Sequence, residues 1–139
     1  MAVHSDSIEV STKGHSDVVN ISEELAGALR RAGVWDGIAT VFVPGSTASV
    51  STIEFEPGAV QDMANVLDKL APEGGHYAHH ARWGDDNGSS HVRACLMGPS
   101  VTIPFINGKL VLGQWQQVVL LDFDTQPRER KLVVIIIGE

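Results

Sequence analysis

The dipeptide Asn107-Gly108, set between the apolar runs IPFI and KLVL, constrains the fold of this chain more than any other feature. A two-residue hairpin turn that follows the twist of its strands needs positive φ at both central positions, and Asn-Gly reaches them at little steric cost. Two antiparallel strands are therefore expected on either side of residue 107. Other runs fit the same kind of structure. SIEVS alternates Ile8 and Val10 with polar neighbours, DVVNI, GIATVFV and ASVSTIEF are rich in β-branched residues, and QWQQVVLLDF and KLVVIII follow the hairpin. The last run is apolar at nearly every position, the pattern of a strand covered on both faces, and another subunit is the expected second cover.

Two segments change period from two to 3.6. In the first, Ser22 is a candidate N-cap, Glu23 and Glu24 suit the positive helix start, and Leu25, Ala28, Leu29 and Ala32 form a stripe that stops at Gly33. In the second, Val60, Met63, Leu67 and Leu70 share one face, and Pro72 ends the helix. A shorter helix begins near Ser89 and stops at Gly98-Pro99. No repeat or linker divides the 139 residues. The expected architecture is one α+β domain over residues 1–139, a mixed, mostly antiparallel sheet with two main helices.

Composition narrows the functional classes. No run approaches the ~20 apolar residues that cross a bilayer, and the start MAVHSDSIEV has neither the basic residues nor the apolar core of a secretion signal. The single cysteine, Cys95, permits no intrachain disulfide and suits a reducing compartment, so a cytoplasmic protein without a membrane partner is expected. A formal charge of −7, with only 10 Lys and Arg residues, argues against nucleic acid as the main partner.

The longest stretch without a clear period runs from Pro72 to Gly88, and long irregular segments in compact domains are disproportionately functional. With the residues just after it, this stretch holds four of the six histidines, His76, His79, His80 and His91, together with Asp85, Asp86 and Asn87. Imidazole binds metals or moves protons near neutral pH, and a neighbouring carboxylate ligates the metal or fixes which ring nitrogen carries the proton. His79 and His91 are the preferred metal pair, with the third ligand from Asp85, His80 or elsewhere, including another chain. Three protein ligands would leave zinc open for catalysis, and four would close it. The competing reading is a surface loop carrying solvated histidines, with His76 and His80 as bystanders and Trp83 as an apolar anchor.

Three further groups of residues carry weaker signals. Glu54 and Glu56 alternate with Ile53 and Phe55, so both should share one strand face; if that face lines the histidine cleft, one of them serves as ligand or general base. Gly98-Pro99-Ser100 offers backbone N–H groups and a hydroxyl to phosphate, although a helix cap and stop explains it more simply. Arg93, Arg128 and Arg130 are candidate phosphate partners, because a guanidinium makes paired hydrogen bonds to an oxyanion.

Taken together, the segments PGSTASVSTIEFEPG, YAHHARWGDDNGSSHVRACLMGPSVTIPF and NGKLVLGQWQQVVLLDFDTQPRERKLVVIIIGE resemble the YjbQ-like family over nearly the whole chain. Their order and spacing are more specific than any one of them. The resemblance implies an α+β fold assembled as a homotrimer through packed sheets, and a site at Tyr77, His79, Asn87 and His91. Departures from the family pattern are His80 where asparagine is frequent, Ser89-Ser90 before His91, and Gly113-Gln114-Trp115-Gln116 in place of a GTWQ-like motif. The family is also described as secondary thiamine-phosphate synthases, which join a pyrimidine pyrophosphate to a thiazole phosphate and release pyrophosphate. That reaction implies a divalent metal, zinc or magnesium, on His79 and His91, phosphate contacts from Ser100 and Arg130, and Asp85, Glu54 and Asn87 as the catalytic polar set. Two alternatives stand beside it: a metal-assisted hydrolase, and a trimer that binds metal or a small molecule without turnover.

Overall fold

A computed structural model describes residues 1–139. Twelve elements follow in order: β1 (Ala2–Thr12), β2 (Asp17–Asn20), α1 (Ser22–Ala32), β3 (Gly37–Phe42), β4 (Ala48–Glu54), α2 (Pro57–Leu70), α3 (Ala78–Trp83), α4 (Gly88–Met97), β5 (Ser100–Ile106), β6 (Lys109–Leu110), β7 (Gln116–Asp122) and β8 (Arg128–Gly138). The α+β class is as expected. What the sequence reading merged into one mixed sheet is two sheets, ordered β1-β8-β3-β5-β6 and β2-β7-β4, and every strand pairing is antiparallel. The Asn107-Gly108 hairpin forms with φ of 53° and 73° at its two central residues.

The two sheets face each other across the main core. Ile8 and Val10 of β1, Ala39 and Val41 of β3, Ile103 and Phe105 of β5, and Leu132, Val134 and Ile136 of β8 meet Val50 of β4 and Val118 and Leu120 of β7, with Leu25 and Leu29 of α1 packed into the same cluster. Fully burying an aliphatic or aromatic side chain of this kind is worth about 1.5–3 kcal/mol. A second cluster lies on the far side of β7, where Val119, Leu121 and Phe123 meet Leu67 of α2 and Ala94 of α4. The strand covered on both faces within the chain is thus β7. β8 alternates instead: Leu132, Val134 and Ile136 are buried, while Val133, Ile135 and Ile137 face outward.

That outward face mixes apolar side chains with small hydroxyl ones. Its register runs Val3, Ile137, Ile38 and Pro104 in one row, Ser5, Ile135, Thr40 and Thr102 in the next, and Ser7, Val133, Phe42 and Ser100 in a third. No element of the chain covers it.

Several local expectations are corrected. Ser22 does not cap α1; the N-cap is Ile21, and the Ser22 hydroxyl accepts from the Val118 N–H, tying the helix to β7. Glu56 leaves the strand and caps α2, accepting from the N–H groups of Gly58 and Ala59, so it does not share a strand face with Glu54. The stretch read as irregular contains the short helix α3. Trp83 at its end is no anchor: it is 66% exposed, with the Arg82 guanidinium 5.3 Å from its ring centre. No helix is long and apolar enough to cross a membrane.

Candidate functional site

Three pieces of chain converge where β4 begins and β7 ends. The turn at 43–47 enters β4, residues 122–125 leave β7, and the α3–α4 segment folds over both. Side-chain ties fix them: Ser49 Oγ donates to the Ala94 carbonyl at 3.1 Å, Ser90 Oγ donates to the Phe123 carbonyl, Phe123 N donates to the Thr47 carbonyl at 2.9 Å, and Thr125 Oγ1 donates to Asp86 at 3.3 Å. Arg93 is buried and consumed in holding α4 down, donating to the Ala71 carbonyl at 2.8 Å, Ser16 Oγ at 2.7 Å and Asp68 at 2.9 Å, so it is not a phosphate partner.

The α3–α4 joint orients the histidines. Asn87 is the N-cap residue of α4, yet its side chain does not cap; its Oδ1 lies 3.1 Å from His79 Nε2. The Gly88 N–H is satisfied by His80, whose Nε2 accepts at 2.8 Å. His80 is therefore neither a free ligand at Nε2 nor a bystander, because that lone pair serves the helix start. His79 Nε2 also lies 3.1 Å from both carboxylate oxygens of Asp85. A carboxylate and an amide oxygen both accept, so the His79 proton sits on Nε2 and the lone pair on Nδ1. At His91 the tautomer is reversed: Nδ1 donates to the Ser46 carbonyl at 3.0 Å, leaving the lone pair on Nε2. The two rings stand edge to face, with centres 4.5 Å apart and planes at 76°.

The structure therefore brings together His79, His91, Asp85 and Asn87, four residues that the sequence singled out. His76 is exposed and outside this set. Glu54 is not part of it either. It sits at the opposite end of β4 from Ala48, about 20 Å along the strand at ~3.3 Å per residue. Ser100 opens β5 exposed, paired with Phe42 on the outward sheet face, and the residue bordering the histidine-side cavity is Pro99.

The sequence reading missed an ion-pair cluster directly behind the site. Asp122, completely buried, accepts from Arg130 Nε at 2.7 Å and Nη2 at 2.9 Å, from Thr12 Oγ1 at 2.6 Å and from the Asp124 N–H at 3.1 Å. Arg130 Nη2 also donates to Thr47 Oγ1 at 2.7 Å, and Arg128 Nε donates to Asp124 at 2.8 Å. Burial pushes the Asp122 carboxyl up, but the hydrogen bonds from Arg130, Thr12 and the Asp124 N–H outweigh it and hold the group below the ordinary carboxylate range. Asp124 is held low in the same way, with burial opposed by Arg128, the Thr125 N–H and Thr47. The spacing was a readable signal: acids at 122 and 124 and arginines at 128 and 130 flank a reversal, and the period of two places each pair on one face.

Within one chain the arrangement offers two imidazoles and no complete set of metal ligands. Both imidazoles have one nitrogen held by an oxygen acceptor, the outer-shell pattern that orients metal-binding histidines. No group of three His, Cys, Asp or Glu side chains is placed to hold an ion, so the remaining ligands would come from water, substrate or a second copy. A cavity of about 250 Å³ borders His91, lined also by Gly45, Ser46, Ala48, Ala94, Cys95 and Pro99. A larger depression of about 400 Å³ around Trp35 and Glu139 lies at the other end of β8 and touches none of these histidines.

The site and fold define a two-sheet α+β domain with an oriented histidine pair at one end of the smaller sheet. The chain belongs to the UPF0047 protein YjbQ-like family, whose model matches residues 6–139. It is 32% identical over 139 residues to a UPF0047 protein of Methanothermobacter thermautotrophicus, covering 100% of this chain and 95% of that one, and 33% identical over 137 residues to one of Synechocystis, covering 98% and 92%. Among solved structures, a YbjQ-like protein from Sulfolobus solfataricus superposes with a TM-score of 0.93 at 31% identity, covering 99% of both chains. A yjbq/upf0047 family protein from Clostridium acetobutylicum gives 0.83 at 38% identity, covering 94% of this chain and 99% of that one.

Proposed function

We propose that this protein is a cytoplasmic, metal-binding enzyme that acts on a small phosphorylated substrate and works as a homotrimer, with thiamine-phosphate formation as the reaction to test first. The observation that carries the reading is the His79–His91 pair, in which Asp85 and Asn87 hold one ring, the Ser46 carbonyl holds the other, and each ring keeps one lone pair free. His79 Nδ1 and His91 Nε2 would hold a divalent ion such as zinc or magnesium. When bound, the metal supplies a Lewis acid that neutralises charge on a phosphoryl oxygen. Asp85 keeps the His79 proton on Nε2 and stabilises positive charge on that ring. Asn87 limits the ring's rotation. The uncovered outward face of the five-stranded sheet, with Val3, Ile38, Phe42 and Val133 all exposed, supports assembly through that face.

The test is incubation of the purified protein with the pyrimidine pyrophosphate and the thiazole phosphate, with and without added divalent metal, reading both thiamine phosphate and released pyrophosphate. Metal-dependent formation of the two products in equal amounts is expected, and loss of both in His79→Ala. Release of inorganic phosphate from simple phosphoesters, without thiamine phosphate, would replace the reading with metal-assisted hydrolysis, for which the same open nitrogens would serve. No turnover of either kind would overturn the enzyme reading.

A further inference from the structure

The turn between β3 and β4 is written Pro44-Gly45-Ser46-Thr47, and its hydrogen bonds are one-sided. Its carbonyls are used: Ser46 accepts from His91 Nδ1, and Thr47 accepts from the Phe123 N–H. The N–H groups of Gly45, Ser46 and Thr47 donate to no group in the chain. Three consecutive N–H groups without an acceptor in the chain leave donors available to a ligand oxygen.

Arg130 approaches the same place from behind. Its Nε and Nη2 are taken by Asp122 and Thr47, which lock the guanidinium plane, while Nη1 donates to nothing. Nη1 stands 3.1 Å from the point that a Cβ on Gly45 would occupy. A side chain at 45 would close this approach, and glycine leaves it open. Gly45 and Ser46 also line the cavity of about 250 Å³ that His91 borders, while Arg130 reaches Gly45 from behind the turn without lining that cavity. Arg128 and Arg130 are balanced by Asp122 and Asp124, so the attraction for an anion is local, from three N–H dipoles and one preorganised guanidinium edge.

From this geometry we infer that the Gly45–Ser46–Thr47 turn, with Arg130 Nη1, is the seat for the phosphate group of the substrate, and that Ser100 is not. The inference rests on the proposed function for the identity of the ligand as a phosphorylated molecule. The seat itself needs no metal, since all of its donors belong to this chain.

The experiment is a titration of the full-length, chelator-treated protein with inorganic phosphate and with pyrophosphate, followed by ¹H–¹⁵N correlation spectra, with chloride at matched ionic strength as the control. Saturable shifts should centre on the backbone amides of Gly45, Ser46 and Thr47 and on the Arg130 side chain, and Gly45→Ala should weaken phosphate affinity by about tenfold or more, as expected when charge-assisted hydrogen bonds are blocked. Because the wild-type shift map stands without any variant, a misfolded Gly45→Ala does not rescue the idea. Absence of saturable shifts, shifts centred elsewhere, or binding that requires added divalent metal would overturn it. Metal-free binding at this turn, combined with failure of every turnover assay, would keep the phosphate seat while removing the enzyme reading.

Discussion

Replacing Asp122 by alanine removes the acceptor at the centre of the buried cluster and leaves three groups stranded. Arg130, with 11% of its side chain exposed, loses two hydrogen bonds and its nearest counter-charge, and Thr12 Oγ1 and the Asp124 N–H lose an acceptor. Removing one partner of a buried ion pair typically costs about 3–5 kcal/mol. The lower end applies here, because Asp124 stands 3.8 Å from Arg130 Nη2 and retains part of the charge balance. With a urea m-value of about 2 kcal/mol per molar, a loss of ~3 kcal/mol moves the unfolding midpoint down by about 1.5 M. Far-ultraviolet circular dichroism in urea reads this directly, and is preferable to fluorescence because all three tryptophans, Trp35, Trp83 and Trp115, are exposed.

The same cluster sets an acid limit. Asp122 and Asp124 both titrate below the ordinary carboxylate range in the folded chain, so their contribution is fully present above about pH 4 and is lost as pH falls through their lowered folded-state values. Wild type should therefore lose stability below that point, and Asp122→Ala should lose less, having already forfeited one contributor. The double replacement Asp122→Leu with Arg130→Met should be closer to wild type than the single variant, since no buried charge is left unpaired. A single-variant loss under about 1 kcal/mol, the range of solvated surface pairs, would refute the reasoning.

Two further outcomes follow from particular contacts. His80→Ala should cost about 1–2 kcal/mol in urea unfolding, because the buried Gly88 N–H loses its acceptor, whereas His80→Asn, which keeps an acceptor, should recover most of it; equal losses would show that the hydrogen bond contributes little. Ile135→Lys, placed between Ser5 and Thr40 on the outward face of β8, should yield monomers in sedimentation velocity with an unchanged melting temperature, while a wild type that already sediments as a monomer would remove the trimer from the account.

Legibility in the sequence followed the range of the interactions. Asn107-Gly108 acts through its own φ angles, and the hairpin is where the sequence places it. The stripe of α1 is likewise local, and Leu25, Ala28 and Leu29 are buried as its period requires. Ser22 and Glu56 show the limit: both have capping chemistry, but whether a hydroxyl caps its own helix or binds a strand depends on β7, which lies 96 residues away in sequence at Val118. The division of strands between two sheets, and the burial of β7 on both faces within the chain, also depend on packing that no short window contains. In the site, imidazoles and carboxylates were conspicuous by type and density, so His79, His91, Asp85 and Asn87 stood out. Glu54 was a weaker inference because it rested on which end of β4 faces the histidines. The Gly45–Thr47 turn was nearly invisible, since its donors are backbone groups that carry no residue signature.

The measurement closest to the central claim is elemental analysis of protein purified without chelators, comparing wild type with His79→Ala and His91→Ala and recording oligomeric mass for each. The account predicts near-stoichiometric divalent metal in wild type, and its loss from both variants with the assembly retained. Wild-type protein that contains no metal, and takes up none when zinc or magnesium is added, would contradict it.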